Sequence, residues 1–270
     1  MVNKIEEPKH NFQFVYGPIY SWRLGMSVGV DPLGSNEKIC NFDCIYCQLG
    51  KTKKLSQQRE EFVLTSAVID EIKALSSRRF NYITFSGRGE PTLALNLGSM
   101  IREIRRVRPE KIAVITNSSL IYRQDVEKDL MEADLVVAKL DGYSQASFTE
   151  IDKPLSAINF HRIVMGIWNF RRRFRGKLAL QMMFVDKNKQ YVAEMAELAK
   201  AIKPHEVQIN TPTRASAVKM LNKREINVIK GYFEGLNVVS VYDAPLCEVA
   251  PWDKKKTSIR HGGFCKNRLT

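Results

Sequence analysis

Short apolar runs alternate with helical stripes along nearly the whole chain, and no other feature of the sequence constrains the fold as tightly. The runs are Ser27–Asp31, Tyr82–Phe85, Ile112–Thr116, Leu135–Lys139, Leu178–Val185, Glu206–Asn210 and Val238–Tyr242. Each is nearly continuously apolar, as a strand buried on both faces must be. Between them, apolar residues recur at helical intervals: Val68, Ile72 and Leu75; Leu97, Ile101 and Ile104; Phe160, Ile163, Ile167 and Phe170. Val192, Met195, Leu198, Ala199 and Ile202 form the clearest stripe, and Ile226, Ile229 and Phe233 the last. Strands alternating with helices imply parallel pairing through right-handed crossovers. The units are too few for a closed eight-stranded barrel, so the expectation is an α/β fold with an open, partial (β/α)6 barrel. Functional groups in such folds gather at the C-terminal ends of the strands. Residues 1–24 and 246–270 read as extensions on a core of 25–245.

The chain has 270 residues, of which 44% are apolar and 26% charged, enough apolar surface to exclude disorder. No apolar run approaches the ~18–20 residues that span a bilayer. The opening residues MVNKIEEPKH lack the pattern of a signal peptide, so a cytoplasmic protein is expected.

The segment Cys40-Asn-Phe-Asp-Cys44-Ile-Tyr-Cys47 follows the first strand, where functional loops belong. Thiolates are soft ligands for iron–sulfur clusters, zinc or copper(I). A structural zinc site wants four protein ligands, and the nearest histidine is His10. Three thiolates around a cubane cluster leave one iron open for another ligand. Three buried apolar cysteines, or a zinc site completed from afar, are the alternatives.

The C-x3-C-x2-C spacing, with Tyr46 in the aromatic slot before the third cysteine, resembles the signature of the radical S-adenosylmethionine (SAM) superfamily. The βα pattern over roughly residues 15–245 is similar to that family's partial (β/α)6 barrel. The resemblance implies that Cys40, Cys44 and Cys47 hold a [4Fe–4S] cluster whose fourth iron is chelated by SAM. One electron from the cluster then cleaves SAM to methionine and a 5′-deoxyadenosyl radical, which abstracts hydrogen from a substrate. The protein binds and orients these groups. A one-electron donor of flavodoxin or ferredoxin type is an implied partner.

Further strand ends carry matching positions. Phe85-Ser-Gly-Arg-Gly-Glu-Pro-Thr92 is a glycine- and proline-marked turn that resembles the family's G-G-E-P segment, with an arginine between the glycines. This places Ser86, Gly89 and Glu90 at the SAM amino group. Thr116-Asn117-Ser118-Ser119 resembles a T-N-G stretch; Asn117 bonds SAM there or caps the next helix. Lys139-Leu-Asp141-Gly142 ends the fourth strand, where the family contacts the SAM ribose and carboxylate; an Asp-Gly turn is the plain alternative. Gln181, Gln208 and Asn210 are amides on apolar strands, costly to bury unpaired, and are expected to face a polar cavity. Arg214 is a candidate clamp for an anion of SAM or substrate. Val15–Gly25 and Asn210–Arg214 look like a subgroup of compact microbial radical SAM proteins often labelled by similarity with enzymes that build the wyosine base of tRNA.

Lys and Arg number 42 against 29 Asp and Glu, a net +13. The excess gathers at Arg102–Arg108, at Arg171–Arg175 with Lys177, and in the tail beyond Pro251. Solvated helix ends account for each run alone. Together they point to tRNA or another anionic substrate. A small molecule or peptide substrate, and a non-catalytic RNA-binding protein with structural zinc, are the other readings. Cys247, Cys265 and His261 are either a second metal site or uncommitted side chains.

Overall fold

The computed structural model describes residues 12–244 and 249–262. Its sheet has eight strands: β1 (Val15–Ser21), β2 (Gly25–Val30), β5 (Tyr82–Phe85), β6 (Lys111–Thr116), β7 (Leu135–Lys139), β8 (Lys177–Met183), β9 (Glu206–Asn210) and β10 (Val238–Ser240), in that spatial order. Two short strands, β3 (Ile39–Cys40) and β4 (Lys54–Leu55), form a separate parallel ribbon in the loop after β2. The helices are α1 (Thr65–Lys73), α2 (Leu97–Val107), α3 (Gln124–Leu130), α4 (Gln145–Asp152), α5 (Phe160–Arg173), α6 (Val192–Ile202), α7 (Lys223–Gly231) and α8 (Lys254–His261). All pairings from β2 to β10 are parallel, and the sheet curls into the expected half-barrel. No helix among the described residues is long and apolar enough to cross a membrane.

Burial on both faces explains the continuous apolar runs. On β6, Ile112 and Val114 join the large core under the helices, while Ala113 packs on the inner face with Leu24, Leu135, Val137 and Ala179. Side chains alternate between faces with period two, so the small inner cluster and the large outer core draw on the same strands. Helix ends follow local chemistry: Asn222 and Glu225 form a capping box on α7, and Ser144 and Ser147 do so on α4.

β1 was not among the expected strands, because Gly17-Pro18 breaks the apolar run and its pairing with β2 is antiparallel. Two contacts hold it. A Cβ on Gly29 would stand 2.1 Å from Cζ of Tyr16, so only glycine lets that ring lie across β2. Buried Glu71 of α1 accepts from the backbone amides of Gln13 (2.6 Å), Phe14 (2.9 Å) and Val15 (2.8 Å).

The structure also redistributes the positive charge. At the end of α2, Arg102 pairs with Glu132 (3.1 Å), Arg105 with Asp134 (3.1 Å), Arg106 with Glu103, and Arg108 with Glu110 (2.7 Å). That cluster is an ion-paired surface, which is a modest stabilising feature and not a bare anion site.

Glu71→Ala leaves the buried Val15 amide and the partly buried amides of Gln13 and Phe14 without their acceptor and should lower stability by about 2–3 kcal/mol. A urea unfolding midpoint measures this; a change under ~0.5 kcal/mol would show that β1 is anchored elsewhere.

Candidate active site

The cysteine loop is clamped from two sides. Cys40 lies on β3, opposite Leu55 of β4. On the other flank, Ile39 donates its amide to the Arg88 carbonyl (3.0 Å) and accepts from the Glu90 amide (3.1 Å). A Cβ on Gly89 would lie 1.6 Å from the Ile39 carbonyl oxygen, so this glycine permits the cysteine strand to dock. Cys44 and Cys47 share a turn, the Cys47 amide donating to the Cys44 carbonyl (3.0 Å). The amides of Asp43 and Ile45 bond back to the end of α4.

The three thiols are free and line one cavity of about 240 Å³ at the C-terminal ends of the strands. Tyr46, Ser86, Gly89, Glu90, Asn117, Lys139, Gln181, Asn210 and Arg214 line it as well. Of the strand-end residues singled out from sequence, two stand apart: Asp141 is buried beneath the wall, and Gln208, expected to face a polar cavity, is fully buried on β9 where its amide donates to Glu206 (2.8 Å).

Two buried networks fix this wall. In the first, Glu90 accepts from the amide and hydroxyl of Thr92 (3.1 and 2.6 Å), the hydroxyl of Thr116 (2.6 Å) and the amide of Asn117 (2.7 Å). Burial raises the Glu90 pKa and these donors oppose the shift. Asn117 Nδ2 donates to Asn41 (2.6 Å) and reaches Cys40 Sγ at 3.6 Å, and the Phe42 amide donates to the same sulfur at 3.4 Å. In the second, the Tyr46 hydroxyl sits between Asp141 and Asp152 and accepts from Lys139 Nζ at 2.6 Å. Lys139 pairs with Asp141 at 3.1 Å, and Asp141 also accepts from the Met183 amide (2.6 Å). One Asp141 oxygen therefore serves both Tyr46 and Lys139, while the Met183 amide holds the other. Burial opposes the Lys139 charge, but Asp141, Cys44 and Asp152 outweigh it and raise its pKa.

The thiols of Cys40 and Cys44 are held protonated. Burial, then the Glu90 charge, pushes Cys40 up to about 12. Burial and Asp152, whose oxygen accepts from Cys44 Sγ at 3.2 Å, raise Cys44. A soft metal would displace these protons. Buried Lys38 stands beside them: burial lowers its pKa, but Cys47, Cys40 and Cys44 together hold it above its ordinary value. Three thiols lining one cavity, with a lysine and amide donors around the sulfurs, fit a thiolate-ligated cluster.

Several wall residues were not foreseen. Tyr16, whose hydroxyl lies 2.5 Å from Ser86 Oγ, comes from β1, and Ser27 and Thr84 share a 2.6 Å bond on the inner face. Helix α8 brings Arg260 and His261 to the margin. Arg260 pairs with buried Asp31 at 3.2 Å, and Thr257 accepts from the Gly17 amide (3.1 Å). Arg214 bonds Gln48 and the His261 carbonyl, joining the cysteine loop to α8. Cys247 and Cys265 lie outside the described residues.

Residues 38–199 match the family described as the radical SAM superfamily. The chain belongs to the radical SAM superfamily. It is 36% identical over 242 residues to a protein of Brachyspira hyodysenteriae named GTPase Obg, a match covering 85% of this chain but 35% of that one. It is 39% identical over 204 residues to a UPF0026 protein of Synechocystis sp., covering 75% and 77% of the two chains. Among solved structures, Streptococcus suis SuiB bound to S-adenosylmethionine superposes with a TM-score of 0.58 at 13% identity, over 76% of this chain and 48% of SuiB. Archaeal TYW1 superposes with a TM-score of 0.55 at 16% identity, over 78% and 72%. These two share the fold. The chain thus spans about a third of the Brachyspira relative and half of SuiB. The three cysteines lie within the matched segment.

Burial raises the Asp31 pKa from 3.8 to about 6, with Arg260 opposing. Between those pH values the folded protein holds a proton that the unfolded chain has lost, so stability falls as pH rises. In thermal unfolding, Asp31→Asn should lack this component, by at most about 1.4 kcal/mol per pH unit. A wild-type-minus-variant difference that stays constant from pH 4 to 6 contradicts the assignment.

Proposed function

We propose that this chain cleaves SAM reductively at a cluster held by Cys40, Cys44 and Cys47 and uses the product radical to abstract hydrogen from its substrate. The observation that carries the reading is the placement of all three thiols in the same strand-end cavity as nine other residues singled out from the sequence, six of them by the family resemblance. When bound, the reduced cluster supplies the electron that splits SAM into methionine and a 5′-deoxyadenosyl radical.

The chain's own groups set the conditions for this step. Lys38 stands among the sulfurs and offsets their negative charge, while the Asn117 amide and Phe42 N–H donate to Cys40 Sγ. Both lower the cost of placing electron density there. Ser86, Gly89, Glu90 and Asn117 form the side assigned to the SAM amino group. Lys139, held by Asp141 and Tyr46, is placed for the SAM carboxylate. Gln181, Asn210 and Arg214 bound the remaining wall and orient the substrate. Surrounding strands and α8 exclude water, which protects a reactive radical.

Residues 25–245 are the catalytic core in this reading, with 1–24 and 246–270 as attachments. A flavodoxin- or ferredoxin-type protein in the cytoplasm supplies the electron. The net +13 and the likeness of Val15–Gly25 to wyosine-labelled proteins favour tRNA as substrate.

Anaerobically reconstituted protein, given dithionite and SAM, should release 5′-deoxyadenosine, and Cys44→Ala should release none. Wild-type release no faster than that of the variant contradicts the proposal.

A further inference from the structure

Helix α5 and helix α8 are the two described helices that carry basic residues and no acid, and α5 is the longer. Its fourteen residues contain four arginines, a histidine and no acid. Phe160, Ile163, Gly166, Ile167 and Phe170 face the core. Opposite them, His161, Met165, Trp168 and Arg172 follow at intervals of four, three and four, which aligns them in one outward stripe. Met165 is 39% exposed, a large apolar side chain placed in the middle of this basic surface.

The arginines of α5 divide into two kinds. Arg173 pairs with Glu127 (2.7 Å), and Arg171 donates to the Lys203 carbonyl (2.8 Å). Arg162 and Arg172 instead lie over aromatic rings, Arg162 at 4.4 Å from the Tyr122 centroid and Arg172 at 4.6 Å from that of Trp168. Neither is ion-paired with a carboxylate among the described residues. A guanidinium fixed over an aromatic plane keeps its N–H fork for an anion, while ring and guanidinium both present flat faces for stacking. The aromatic–cationic pair thus occurs twice, once within α5 at Trp168 and once between α5 and Tyr122, which precedes α3.

The stripe also leads to the catalytic end. Tyr122 follows Ser119 by three residues, and the Ser119 hydroxyl accepts from Asn41, the neighbour of Cys40. The first turn of α5 contributes Phe160 to the small cavity that Asn117, Lys139 and Asp141 line. From there the helix runs roughly 21 Å away from the site.

We infer that the outward stripe of α5, together with Tyr122, is a docking track for a single-stranded nucleic-acid segment leading to the catalytic cavity. Phosphates meet Arg162 and Arg172, and bases stack on the Tyr122 and Trp168 pairs. Single-stranded nucleic acid fits better than an acidic protein, because the surface offers a few guanidinium–aromatic pairs along one helix, whereas a stable protein interface needs roughly 800 Å² per partner. Unstacked bases are what aromatic side chains recognise. The use of the docked strand as substrate rests on the catalytic reading above; the binding itself does not.

Fluorescence anisotropy of the full chain with a short fluorescein-labelled oligoribonucleotide tests the inference. Trp168→Ala should weaken binding at least fivefold, in keeping with ~1–3 kcal/mol per stacked base. Arg172→Ala should reduce the salt slope by about 0.7, the value for one phosphate on a single strand. Arg172→Lys should keep the slope and lose affinity. Arg105→Ala, at the ion-paired end of α2, is the control and should change neither. Wild-type-like binding by both α5 variants overturns the track. Equal affinity for poly-glutamate, which has no bases, also overturns it, in favour of an acidic protein partner. Failure of SAM cleavage with these binding results intact sinks the catalytic reading and leaves the track standing.

Discussion

Glu90 is a carboxylate buried at the meeting point of two strand ends and the cysteine loop, and a buried charge must be offset by donors within reach. It collects four of them, from Thr92, Thr116 and Asn117, and in doing so fixes the end of β6 against the turn after β5. Asn117 then reaches Asn41 and the Cys40 sulfur, while the amide of Glu90 itself bonds the strand that carries Cys40. Gly89 completes the joint by leaving no side chain between the two segments. The position of the first cysteine is thus set by hydrogen bonds that a single acid organises. Two other buried acids do comparable work around the cavity. Asp141 orients Tyr46 and Lys139, and Asp31 binds α8 to the sheet through Arg260.

Much of this was legible because it is local. The seven parallel strands were marked by continuous apolar runs, since burial on both faces leaves no polar position to break them. The cysteine motif was legible because its spacing is covalent. β1 was not, because Gly17 and Pro18 interrupt its run and its register depends on Tyr16 lying over Gly29. α4 was missed because its eight residues carry too little periodicity, and Ser144 caps it without an acidic partner. Within the site, Cys40, Glu90, Asn117 and Lys139 were recognisable from strand-end motifs. Asp141 was recognised as a residue but its position behind the wall was not, because that depends on how β7 and β8 align. Tyr16, Arg260 and Thr257 come from distant segments and had no local signature.

The charge of the chain acquires a location only through packing. Runs that look alike in sequence behave differently when neighbours are counted. The arginines ending α2 meet Glu103, Glu110, Glu132 and Asp134. Those on the outward face of α5 meet Tyr122 and Trp168. Sequence density of Arg and Lys therefore measures potential partners poorly; the separation depends on which acids the crossover connections bring alongside.

The central claim is that three thiols at the mouth of a half-barrel hold a cluster with one iron open to SAM. Electron paramagnetic resonance of the dithionite-reduced, iron-reconstituted protein, recorded with and without SAM, tests it most directly. The account predicts about four irons per chain with labile sulfide, and a cluster signal whose shape changes when SAM is added, because SAM ligates an iron. A signal indifferent to SAM, or zinc as the only bound metal, contradicts it.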